Sequence, residues 1–143
     1  MSAASVDPRE QQRLALPDAA ATAALPRDSD PTLAAMARDS HRLTLARLAN
    51  EVLDAVDDGD SGVPEASRLH TWVRVELLPW AQEEQLAIVD ESERAAVRSD
   101  FGVIVGLNSL LAGANHEDAA AWTRQLHRTA LIMLARLDYL AQG

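Results

Sequence analysis

The chain has 143 residues, 48% of them hydrophobic, which suffices for one buried core and is about the size of one domain. Aromatics make up 3% and cysteine is absent, so Leu, Ala and Val must build the core, and disulfides, thiolate nucleophiles, Cys-ligated zinc and iron–sulfur clusters are excluded. A net charge of −9 with no concentrated basic run opposes a polyphosphate backbone, so nucleic acid is not an expected partner.

The N-terminus shows no basic segment followed by an apolar one, and no apolar run reads as long enough to span a bilayer; a cytoplasmic protein with no membrane partner is expected. Residues 1–29 carry Pro8, Pro17 and Pro26 and no sustained apolar stripe. They are expected to form a flexible tail, because a short helix around Glu10 to Leu16 is too short to stand alone. Residues 30–143 are expected to form the folded domain.

Asp30 before Pro31 supplies an N-cap and a first-turn proline. Ala34, Ala37, His41, Leu45, Leu48, Val52 and Ala55 then recur at steps of three or four, which predicts a first helix to about Asp57. The acidic, glycine-containing stretch Asp57 to Gly62 ends it, and Pro64 opens a second helix running to Val89. Leu69, Val73, Leu77, Trp80, Glu84 and Ile88 would share one face of that helix. Pro79 falls inside the pattern. It either bends the helix by removing the hydrogen bond to the Val75 carbonyl, at about 3 kcal/mol, or starts a new helix.

Asp90 and Glu93 have the spacing of a capping box, and Val97, Phe101, Ile104, Asn108 and Leu111 define a third stripe that stops at Gly113. Asn115 opens a fourth helix with the stripe Ala119, Trp122, Leu126, Ala130, Met133, Leu137 and Leu140. Four helices with short connections predict an all-α, antiparallel up-down-up-down four-helix bundle.

Leu77-Leu78-Pro79 followed by Glu83-Glu84, and the segment Arg98 to Leu107, resemble the second and third helices of the hemerythrin-like (HHE cation-binding) family. The resemblance spans about Ser40 to Leu140. It implies an iron site ligated by histidines and carboxylates from all four helices. Carried onto this chain, His41 and Glu84 match a ligand His and a ligand Glu. The remaining matched positions hold Trp80, Phe101, Met133 and Leu137, so four of six have lost the imidazole or carboxylate donor. A one-residue shift in the fourth helix would place Leu134 and Asp138 at the last two positions, and the loss would stand. His70 and His127 lie too far along their helices to rebuild the layer, and His116 belongs near a helix start.

The large apolar replacements are of the kind that fill a metal cavity with hydrocarbon. Glu84 on an apolar face needs a partner, for which His41 is the candidate; alternatively Glu83 and Glu84 both face water. No Ser/His/Asp constellation, phosphate loop or paired carboxylates in an identifiable cleft stand out, so enzyme activity is not favoured. The expected function is a non-catalytic binding or regulatory module with a degenerate metal site and no cofactor. It would act on an unknown protein or a small apolar ligand, as a monomer or homodimer. The alternative is a non-haem iron protein that binds or senses dioxygen, nitric oxide or iron through a reduced set, His41 and Glu84.

Overall fold

The computed structural model describes residues 31–142, and among these every regular element is helical. The tail expected over residues 1–29 and the Asp30 cap lie outside the described residues. The chain divides between His41 and Arg42 into two units, each described by itself.

Helix α1 covers Pro31–Asp57. Its end is a Schellman motif: Gly59 has φ 88°, its N–H donates to the Val56 carbonyl (3.0 Å), and the Asp60 N–H donates to the Ala55 carbonyl (2.8 Å). Gly62 follows with φ 73° at the N-cap of the next helix. A Cβ at Gly62 would lie 2.7 Å from Val56 Cγ2, so this corner admits glycine on both backbone and space grounds.

Helix α2 spans Val63–Trp72, a π turn spans Val73–Leu77, and helix α3 spans Leu78–Leu86. They form one continuous rod, because the junction residues Trp72, Leu77 and Leu78 all keep right-handed helical angles. The Leu78 N–H reaches five residues back to the Val73 carbonyl instead of four. Pro79 stands in the first turn of α3, as the reading of a new helix start has it, although the backbone stays helical across the junction. A wide turn immediately before the ring lets the helix pass through a residue with no N–H to offer. The rod ends at Leu86, three residues short of the expected Val89.

Helix α4, Glu91–Ala112, shows one half of the expected capping box: Asp90 is extended (φ −74°, ψ 126°) and its carboxylate accepts from the Glu93 N–H at 2.9 Å. Gly113 ends it with φ −105°, so the stop does not use the left-handed conformation. Helix α5, Ala119–Gln142, starts four residues later than expected. Asn115 instead folds the preceding turn, where Oδ1 accepts from the Glu117 and Asp118 N–H groups at 2.9 and 3.0 Å.

The core draws on Leu45, Leu48 and Val52 of α1, Leu69 of α2, Val73 and Leu77 of the π turn, Ala81 of α3, and the inner faces of α4 and α5. Helices α4 and α5 pack along each other, and α4 also packs on α2 and α3. Charged pairs fix these helices from outside: Arg136 Nε donates to Asp100 Oδ2 at 2.6 Å, and Arg42 pairs with Asp138. In length and composition α4 is apolar enough to cross a bilayer, with a mean hydropathy of 1.3, where the sequence had suggested no such run. Part of that apolar content is core: Val97, Ile104, Leu107 and Leu111 are buried.

Candidate functional site

The positions that would carry metal chemistry depend on how each helix is turned. For the second rod, the π turn decides. Leu69, Val73, Leu77, Ala81 and Gln85 are all buried, in steps of four. At about 100° per residue, sixteen residues overshoot a straight stripe by about 160°. One residue spent in the π turn takes back about 100°, and the remaining drift of about 60° fits within one core-facing stripe.

The inward face of α3 is therefore Ala81 and Gln85, and the expected trio Trp80, Glu84 and Ile88 is displaced to the margin. All three are half-buried, with Trp80 and Ile88 packed against the edge of the core. This corrects the sequence reading, which counted one uninterrupted 3.6-residue period through Pro79.

Met133 and Leu137, the two matched positions on α5, are 0% and 5% exposed and sit within the core cluster. Phe101 on α4 is half-buried against it, and Ile104 and Leu107 take the inward positions. In the shifted correspondence, Leu134 is also fully buried, while Asp138 is paired with Arg42. Glu84 is half-buried and Glu83 exposed, so the alternative in which both face water does not describe Glu84. His41 is half-buried too, and burial lowers its pKa from 6.5 to about 4, which keeps the ring neutral at neutral pH. His41 ends the first unit and Glu84 belongs to the second.

Among the described residues, no group of three or more His, Asp or Glu side chains is disposed to hold a metal ion. The donor set among the described residues does not fit the iron centre that the family resemblance implies.

Sequence reasoning placed Asn108 on the inward stripe of α4 without a partner and missed the buried Gln85 and Thr123. Gln85, Asn108 and Thr123 are 6%, 4% and 0% exposed, and each keeps one oxygen without a hydrogen-bond partner. Asn108 is tied to His70 reciprocally: its Nδ2 donates to the His70 carbonyl at 3.2 Å, while His70 Nδ1 donates to the Asn108 carbonyl at 3.1 Å. A carbonyl can only accept, so the proton sits on Nδ1. The pair clamps α2 to α4 immediately before the π turn. The position of Asn108 on an apolar stripe was the available signal, but nothing in the sequence identified His70 as its partner. His127 is half-buried, with its pKa lowered by burial, and His116 is exposed in the turn before α5.

No family model matches the chain, and no similar curated protein or solved structure was found by comparison.

Proposed function

We propose that this chain is a hemerythrin-like, antiparallel up-down-up-down four-helix bundle whose metal-binding interior has been exchanged for hydrocarbon, and that it serves as a non-catalytic binding or regulatory module. The bundle arrangement is supported by the short connections 58–62, 87–90 and 113–118, which favour antiparallel neighbours. The cross-helix pairs His70 with Asn108 and Asp100 with Arg136 are compatible with it.

The observation that carries the functional reading is the burial of Met133 and Leu137. They stand where the family has a His-x-x-x-Glu pair, and neither side chain supplies the imidazole nitrogen or carboxylate oxygen of a non-haem iron centre. A hydrocarbon interior leaves the surface to do the work. The partner is a protein or a small apolar ligand, nucleic acid is disfavoured by charge, and the chain acts in the cytoplasm as a monomer or homodimer.

Iron content tests this directly. Protein purified from iron-replete cells and desalted should be colourless, with well under one iron per chain and no oxo-iron charge-transfer band. Stoichiometric iron retained through desalting would refute the reading and favour the non-haem iron alternative.

A further inference from the structure

We infer that α3 is a two-register segment with the π turn as its slip point: closing the turn rotates α3 by about 100° and brings Trp80, Glu84 and Ile88 to the core in place of Ala81 and Gln85. This inference does not depend on any resemblance to a metal-binding family.

Two phases are written into the same residues. In the observed one, Leu77, Ala81 and Gln85 continue the buried stripe of α2. In the other, Trp80, Glu84 and Ile88 continue it along a plain α-helix. Trp80 and Ile88 already touch the core from its margin. The observed register buries a polar side chain, Gln85, whose Oε1 has no partner. The alternative would release Gln85 and bury an indole and an isoleucine more fully. Its costs are a carboxylate at Glu84 turned inward and Pro79 forced into a regular helix. Each register thus satisfies what the other violates, and packed cores move between discrete arrangements of this kind instead of deforming continuously.

The restraints lie where a slip would need them. Upstream, the reciprocal His70–Asn108 bonds hold α2 on α4, so a change at the turn moves α3 and leaves α2 in place. Downstream, Arg94 Nη1 donates to the Ile88 carbonyl at 2.7 Å, and Arg94 also pairs with Glu91. That latch must open for Ile88 to turn inward. The four residues 87–90 take up the advance of about 1.5 Å that accompanies a one-residue shift. Pro79 is the lock, since its ring opposes closure of the turn.

The test reads Trp80 in the full chain labelled with 5-fluorotryptophan, which gives three 19F resonances for Trp72, Trp80 and Trp122; Trp80→Phe assigns the signal. A soluble paramagnetic agent measures exposure, with Trp122 as the internal reference. Pro79→Ala with Glu84→Leu should lower the relative broadening of Trp80 roughly twofold or more as the indole enters the core, and adding Gln85→Leu should restore the original value. A separate route leaves Pro79 and Glu84 intact: Gln85→Glu places a carboxylate in the buried position and should move Trp80 in the same direction. Unchanged Trp80 exposure in the folded Pro79→Ala/Glu84→Leu protein, or in Gln85→Glu, would overturn the inference. So would failure of Gln85→Leu to reverse the shift.

Discussion

Deleting Glu76 tests whether the π turn is an extra residue accommodated around Pro79. Glu76 is exposed within the turn, so its removal takes away no core contact. With one residue fewer, Val73 to Leu77 can close as ordinary α-helix, while Leu77, Ala81 and Gln85 keep their inward phase. The stripe from Leu69 to Gln85 then drifts by about 60° with no wide turn at all. The cost falls on Pro79, whose ring would meet the carbonyl four residues back, now that of Arg74, at about 3 kcal/mol. A regained helical hydrogen bond offsets about 1 kcal/mol, leaving a net loss of about 2 kcal/mol. Pro79→Ala in the deleted chain removes the clash and should return stability to the original value or above it. The two changes should therefore couple by about 3 kcal/mol in a double-mutant cycle. Urea unfolding followed by circular dichroism reads this as a midpoint lowered by roughly 1 M for the deletion and recovered in the double variant. A neutral deletion would mean that the turn does not exist to accommodate Pro79. A double variant as unstable as the deletion would mean that the downstream phase is not preserved.

Three further outcomes are expected. Because burial lowers His41 from 6.5 to about 4, the unfolded chain takes up its proton more readily; the His41 contribution is complete above pH 6.5 and lost as pH falls toward 4. After solvent screening this should amount to roughly 1–2 kcal/mol; His41→Leu should flatten unfolding free energy against pH across that window, and an unchanged slope would refute it. Gly102 and Gly106 lie inside α4 where an added Cβ meets nothing within 4 Å, so alanine at each should stabilise by about 0.5–1 kcal/mol in thermal unfolding. A loss of stability at either glycine would show that its open face is covered in solution. Finally, Met133→His and Leu137→Glu each bury a polar group in the core and should each cost about 2–5 kcal/mol in urea unfolding; a neutral change at either would show that its side chain is not enclosed.

Local rules were enough to place most of the helices. The Asp90 cap, the stop after Asp57 and the stripes of α4 and α5 rest on side chains within a few residues of one another. Met133 and Leu137 could be assigned to the core for the same reason, since nothing interrupts the period of α5. The second rod was misread because a single period was carried across Pro79. The run of fours, Leu69, Val73, Leu77, Ala81, Gln85, was visible, but Ala81 and Gln85 are poor apolar markers beside Trp80 and Ile88. Choosing between the two phases takes the hydrogen bonds of the π turn, which depend on how the rod packs. Pairings across the fold, such as His70 with Asn108, leave no local trace: 38 residues separate them, and either residue alone suits many environments.

The π turn also sets the optical character of the protein. Trp72 and Trp80 lie on either side of it, eight residues apart, and both lean on the core. In a plain helix that spacing turns one indole about 80° from the other; with the extra residue they fall within about 20° on one face, about 10 Å apart along the axis. Ultraviolet excitation absorbed by one ring can therefore pass to the other before emission. The anisotropy of the tryptophan emission becomes a gauge of helical winding, because the relative orientation of the two rings changes with every degree by which the turn tightens or relaxes.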